Sequence, residues 1–270
     1  MESYKYIFVI LVYRNTGDLR ECLESIYKKV DSYKVIVVNA YYDDVTRDEV
    51  ERIACQFNCD FINIDNKGYS YGNNRGIEYA LNHYGFDYIV VSNPDVVIEK
   101  FDDTFLDKDF EYDIIAPNII AASGHSQNPA FVRRSSLSEL LIYKGYKKNR
   151  KLYLISGLLI SKMMRELTLS IKRFSQKHIY EIYCAHGSFL LLRRSLILKL
   201  SPVYDENIFL FGEEGVLAYK AKKALFKTCY SDYIIIKHKE DGSMKLSDLS
   251  INGEMRKSNI YFYENYLNND

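Results

Sequence analysis

The run Tyr88-Ile89-Val90-Val91-Ser92-Asn93-Pro94-Asp95-Val96 decides how this chain is read. Four apolar residues without polar alternation describe a strand covered on both faces, and Asn93-Pro94 stops it. Such a strand belongs in a parallel sheet, so similar runs should precede it at intervals long enough for helical crossovers. Tyr6-Ile7-Phe8-Val9-Ile10-Leu11-Val12 is the first, residues 34–38 the second and residues 61–64 a short third. Between them Leu19, Cys22, Leu23 and Ile26 recur at helical spacing after the turn Asn15-Thr16-Gly17-Asp18. Residues 46–57 read as a helix with Thr46 as cap and Glu49 three positions on, a capping-box pattern. Residues 73–84 read as a helix with Ile77, Ala80 and Leu81 on one face. This alternation over residues 6–98 predicts βαβ units and a mostly parallel α/β sheet flanked by helices. Ligands of such sheets bind outside the carboxyl ends of the strands. Arg14, Asn15, Asn39, Asn66, Asn93 and Asp95 stand at those ends and are expected to converge on one crevice.

Beyond residue 113 the pattern is less regular. Ile114 to Pro117 reads as a strand, 186–200 as a strand and then a helix, 213–224 as a helix and 233–236 as a strand. Residues 131–178 stand apart, with twelve basic residues, among them Lys144, Lys147, Lys148, Arg150, Lys151, Lys162, Arg165, Lys172 and Arg173, against Glu139 and Glu166. Apolar residues from Leu140 to Met164 interleave with them. No internal repeat or low-complexity linker is visible. The expected organisation is one domain over 1–245, with 131–178 an embedded basic, partly helical segment, and a helical extension over 246–270.

Composition narrows the function class. The 270 residues carry 36 basic and 36 acidic side chains, so no chain-wide field favours nucleic acid. Cys22, Cys55, Cys59, Cys184 and Cys229 are scattered singly, which fits neither a disulfide framework nor a structural zinc site and suits a reducing compartment. No stretch reaches about 18 uncharged apolar residues, and no cleavage site follows the first apolar run. The expected location is the cytoplasm, with the basic segment as a candidate contact for an anionic membrane surface.

Several groups of residues could carry chemistry. Asp95, directly after a buried strand, can hold a divalent cation that bridges two phosphates; Asn93-Pro94-Asp95 is also an ordinary turn. Residues 66–76, including Lys67, Gly68 and Asn73, form a Gly- and Asn-rich approach to a helix that suits an anion, or simply a long turn and cap. They do not form a P-loop, and the dinucleotide glycine signature is missing after the first strand. Glu213 and Glu214 open a helix, where acids suit the dipole and where a carboxylate can also act as general base. His238 ends an apolar strand before Asp241-Gly242-Ser243 and could ligate a metal or lie at the surface. Gly187 to Arg194 is a glycine-led strand that could line an acceptor pocket or end in solvated arginines.

The order and spacing of these pieces resemble the family 2 glycosyltransferases of GT-A fold, in particular the rhamnosyltransferase-like branch of surface polysaccharide synthesis. The resemblance runs from Tyr6 to about Ser243 and is most specific in Asn73-Asn74-Arg75-Gly76-Ile77 and Phe209-Leu210-Phe211-Gly212-Glu213-Glu214. It implies an inverting transfer of a hexose or deoxyhexose from a UDP- or dTDP-sugar to a glycan hydroxyl, the acceptor being lipid-linked. It implies that Tyr13, Asn15, Asn39, Lys67, Gly68, Asn73, Asn93 and Asp95 bind the nucleotide-sugar, and that Asp95 and His238 hold Mg2+ or Mn2+. Glu214 would be the base and Glu213 would orient it. The chain departs from the family where Asn39, Asn93 and Val216 stand at positions at which relatives carry acids. Those departures keep open a non-catalytic partner subunit of a transferase. A sugar nucleotidyltransferase fits less well, since Tyr13-Arg14-Asn15-Thr16-Gly17 carries a single glycine.

Overall fold

The computed structural model describes residues 1–107, 109–174, 177–240 and 250–268, the side chains of 171–174 excepted. The calls on Asp241-Gly242-Ser243 and on the Lys172 and Arg173 side chains lie outside the described residues. The first half of the chain alternates as expected: β1 (Ser3–Val12), α1 (Gly17–Lys29), β2 (Tyr33–Tyr41), α2 (Asp44–Gln56), β3 (Asp60–Asp65), α3 (Tyr69–His83) and β4 (Gly85–Ser92). Then follow β5 (Val96–Phe101), β6 (Ile114–Ala121), α4 (Ser136–Lys147), α5 (Lys151–Phe174), β7 (Ile179–Ile182), β8 (Phe189–Arg193), α6 (Arg194–Leu200), α7 (Glu213–Lys223), β9 (Thr228–His238) and α8 (Ile251–Phe262), which ends in a π-helical turn.

One sheet runs β3-β2-β1-β4-β8-β6-β9-β5, with β7 paired to β9. The strands β3, β2, β1 and β4 are parallel. Beyond β4 the sheet is mixed, because β8 runs antiparallel to both its neighbours and β5 antiparallel to β9. The alternation of β1 sorts its side chains between two cores. Tyr6, Phe8, Ile10 and Val12 pack toward Leu19, Leu23 and Ile26 of α1 and Val50 and Ile53 of α2. Ile7 and Val9 pack toward Ile77 and Ala80 of α3, Ile197 of α6 and Leu217 of α7. Burial on both faces is what a continuous apolar strand requires.

Two local readings are corrected. Asp43, not Thr46, caps α2: its side chain accepts the Thr46 backbone N–H at 2.7 Å. This satisfies an orphan donor of the first turn three residues earlier in the chain than the capping-box pattern assumed. Helix α3 starts at Tyr69 rather than Asn73, so Asn73 is a buried helical residue and not a loop residue. The cysteines are free thiols. In the basic segment, α4 and α5 pack on each other and α4 also meets α8; the Ser138 hydroxyl donates to the Gly157 carbonyl at 2.8 Å across the pair.

Candidate active site

A cavity of 480 Å³ opens where β1, β2 and β4 end and where α3 and α7 begin. The sheet puts it there, because the loops leaving the carboxyl ends of parallel strands splay apart at the edge of the sheet. Its wall includes Tyr13 after β1, Ala40 of β2, Asn66 and Gly68 before α3, and Asn93-Pro94-Asp95 after β4. His186, Gly187 and Ser188 before β8, Phe209 to Phe211, Glu213 and Glu214 of α7, and Gln127, His238 and Glu240 also line it.

Asp95 is 3% exposed, and its Oδ1 has no hydrogen-bond partner. That oxygen lies 3.4 Å from His238 Nε2. The tautomer of His238 follows from its other side. Gln127 Nε2 donates to Glu240 Oε1 at 2.9 Å, which turns Gln127 Oε1 toward His238 Nδ1 at 2.8 Å. Nδ1 is therefore a donor to Gln127, and Nε2 faces the unpartnered carboxylate oxygen of Asp95. A buried carboxylate oxygen and an imidazole nitrogen, both metal-ligand types, thus face each other in the wall of the cavity. Among the described residues no group of three or more His, Cys, Asp or Glu side chains is placed to hold a metal, so Asp95 and His238 stand as a pair.

The second pair opens α7. Glu214 Oε1 accepts the Gly187 backbone N–H at 3.2 Å. Gly187 is needed for this approach, since a Cβ there would lie 2.6 Å from that oxygen. Glu213 is 5% exposed with Oε2 unpartnered. Burial raises the pKa of both acids. Glu213 is pushed well up, because it also feels the Glu214 charge, whereas backbone N–H donors at Glu214 and Gly187 favour the Glu214 carboxylate. The environments thus push the two apart, Glu213 holding its proton more strongly than Glu214. Val216 is fully buried and is not part of the cavity wall.

A short strap links the two pairs. Ser188 O accepts the Asn93 N–H at 2.9 Å, and the neighbouring Gly187 holds Glu214. Gly68, at φ 100°, packs against Phe209, where a Cβ would lie 2.4 Å from the carbonyl oxygen. The next residue, Tyr69, donates its N–H to that same carbonyl at 2.8 Å, which ties the start of α3 to the loop before α7.

Of the residues named from the sequence, Tyr13, Gly68, Asn93, Asp95, Glu213, Glu214 and His238 come together on this wall, while Asn15, Asn39, Lys67 and Asn73 are off it. Asn15 Nδ2 donates to Asp18 at 2.5 Å. Asn39 is fully buried, with Nδ2 on Asn63 Oδ1 at 2.7 Å and its own Oδ1 unpartnered. Lys67 is exposed beside Asp65 and over the Tyr71 ring. Asn73 is fully buried, and its Nδ2 donates to the Tyr69 carbonyl at 3.0 Å. Arg193 and Arg194, at the far end of β8, bond to Tyr88 and the Phe110 carbonyl and cover the Phe86 ring.

Sequence reading missed His186, Gln127 and the loop that supports them. The His186 backbone N–H donates to Asn128 Oδ1 at 2.7 Å, and its Nδ1 accepts the Ser188 N–H at 3.2 Å. Burial, with help from nearby His238 and against Asp95, lowers the His186 pKa to about 4. The ring is neutral near pH 7 and offers Nε2–H as a donor. Arg165 of α5 reaches back to this loop, donating to the carbonyls of Pro129 at 2.9 Å and Ser126 at 3.2 Å, on either side of Gln127 and Asn128.

No protein-family model matches the chain. The chain superposes on GalNAc-T7 in complex with UDP, GalNAc and Mn2+ with a TM-score of 0.60 at 13% identity, covering 87% of this chain and 44% of that one. It has a GT-A fold. The mannosyltransferase PcManGT of Pyrobaculum calidifontis, in complex with GDP-Man and Mn2+, matches it with a TM-score of 0.53 at 12% identity over 98% of this chain and 72% of that one. S. aureus TarS 1-349 with UDP matches with a TM-score of 0.56 at 12% identity over 96% and 72% of the two chains. In sequence, the low-salt glycan biosynthesis hexosyltransferase Agl10 of Haloferax volcanii is 24% identical over 219 residues, 80% of this chain and 61% of that protein. The chain therefore spans about three-fifths of that relative's length. The GT-A fold and the hexosyltransferase relative bear out the resemblance to family 2 glycosyltransferases. The helices of this GT-A chain include none, among the described residues, long and apolar enough to cross a membrane.

Proposed function

We propose that the chain is an inverting glycosyltransferase that moves a hexosyl or deoxyhexosyl unit from a UDP- or dTDP-sugar to a hydroxyl of a lipid-linked glycan in cell-surface polysaccharide synthesis. One observation carries the reading: the Asp95–His238 pair and the Glu213–Glu214 pair line the same cavity at the carboxyl edge of a GT-A sheet. Its position supports a nucleotide with its base beside Tyr13, its sugar and phosphates along Asn66, Gly68 and Asn93, and the reacting carbon between the two pairs. Asp95 and His238 would hold Mg2+ or Mn2+, which supplies positive charge against the leaving diphosphate when bound. The unpartnered Asp95 oxygen and the inward-facing Nε2 of His238 are the atoms that would hold that ion.

The remaining steps belong to the chain's own side chains. Glu214, the acid whose backbone donors favour its charge, takes the proton of the acceptor hydroxyl. The oxygen attacks the anomeric carbon on the face opposite the diphosphate. The bond from that carbon to the phosphate oxygen breaks, and its electron pair leaves with the diphosphate. Glu213, buried beside Glu214, orients the acceptor. The acceptor is met at the inner face of the membrane, on the side of residues 131–178. The test is Glu214→Gln with donor and acceptor supplied: transfer is expected to fall by about 10²–10⁴ with nucleotide affinity retained. Transfer near the wild-type rate would move the base elsewhere. Asn39 and Asn93, amides in place of acids, favour a second reading as a non-catalytic subunit; this predicts no hydrolysis of any UDP- or dTDP-sugar by the wild-type chain.

A further inference from the structure

Helix α5 packs on α4 along one side. Its other side carries Leu152, Ile155, Leu158, Leu159, Met163 and Leu167, each more than half exposed. At helical spacing these six fall on about one half of the circumference, the half that is ordinarily polar in a surface helix. Lys151 and Lys162 lie along one edge of this face, and the α4–α5 turn adds exposed Lys148 and Arg150. Among the described residues none of these four cations is ion-paired, and the exposed acid on the same face, Glu166, is bound to Arg165. The helix is not apolar enough to cross a membrane. An apolar stripe bordered by unpaired cations instead suits a helix lying in the plane of an anionic interface.

We infer that the outer face of α5 seats this protein on an anionic lipid bilayer, with the Leu152–Leu167 stripe at the acyl boundary and Lys148, Arg150 and Lys151 among the headgroups. The inference deepens the proposed function and rests on its membrane-side acceptor. A second copy of the chain is a poorer occupant, because pairing two such faces brings like charges together across an apolar seam. Bilayer contact would also bear on the cavity, since Arg165 of the same helix bonds the loop carrying Gln127 and Asn128.

The chain has no tryptophan, so a single introduced one reports its own surroundings. Leu159→Trp keeps the position apolar, Leu152→Trp is a second reporter on the same face, and Tyr27→Trp, at an exposed site on α1, is the control. Each full-length variant is mixed with vesicles of phosphatidylcholine alone or with about one-third phosphatidylglycerol. Emission of Leu159→Trp and Leu152→Trp should move to shorter wavelength with the anionic vesicles only, and that of Tyr27→Trp should stay. The triple change Lys148→Ser, Arg150→Ser and Lys151→Ser should lower vesicle partition on the order of 100-fold. An unmoved spectrum overturns the inference, as does an equal shift with neutral vesicles. A shift that follows protein concentration without lipid also overturns it and marks a second copy as the occupant. Transfer to a water-soluble acceptor is measured in parallel. Transfer without vesicle binding defeats the membrane face and leaves the proposed activity; vesicle binding without transfer supports the face and counts against the activity.

Discussion

Glu213 and Glu214 are adjacent in sequence and differ in what the fold does to them. Both have raised pKa values, so the sign of their effect on stability is the reverse of that of a salt-bridged carboxylate. Below the unfolded value both states are protonated and the groups contribute nothing. As pH rises past that value the unfolded chain loses its proton first, and folding is penalised increasingly until pH passes the folded pKa. Glu213→Gln removes the larger penalty. Its thermal midpoint at neutral pH should exceed wild type by about 2–4 °C, on the order of 1 kcal/mol, and the difference should vanish below about pH 4, read by calorimetry across pH. Glu214 has the catalytic counterpart. Its raised pKa predicts an acidic limb in kcat/KM displaced above the ordinary carboxylate range, which is lost with the base in Glu214→Gln.

At the scale of elements, the site is held by contacts between segments far apart in sequence. Arg165 on α5 bonds both sides of the Gln127–Asn128 pair, Gln127 fixes the His238 tautomer, and Asn128 fixes the His186 backbone. Arg165→Met should therefore weaken Mn2+ binding in the presence of UDP by about 10-fold or more, measured by titration calorimetry, while circular dichroism stays that of wild type. This chain of contacts was not legible in the sequence, because Gln127 and His186 sit in irregular loops whose residues carry no periodic signal. The strands β1 to β4 were legible, because burial on both faces leaves continuous apolar runs such as Tyr6 to Val12. Strand β5 escaped because Val96–Phe101 turns charged after three residues, and β7 because four residues are too few to show a pattern. Asp43 was passed over as a cap because Thr46 and Glu49 offered a familiar pair three residues apart, while its one bond to the Thr46 N–H is a matter of backbone geometry. Asp95, Glu213, Glu214 and His238 were found from their order along the chain. Their gathering on one wall came from the mixed half of the sheet, which returns β9 beside β5 and brings His238 opposite Val96, next to Asp95.

At the scale of the whole molecule, a GT-A sheet presents a cavity at one edge and α5 presents an apolar, cation-bordered face. The central claim is that the cavity takes a nucleotide-sugar with a divalent ion on Asp95 and His238. Binding to the folded state alone raises its stability, by about 2.7 kcal/mol at one hundred times Kd. The direct measurement is the thermal midpoint of the full chain with UDP- and dTDP-sugars, each with Mn2+ and with a chelator, for wild type and Asp95→Asn. The account predicts that at least one donor raises the wild-type midpoint with Mn2+, and that chelation or Asp95→Asn removes most of the rise. No rise with any donor, or a rise indifferent to both Mn2+ and Asp95, would contradict it.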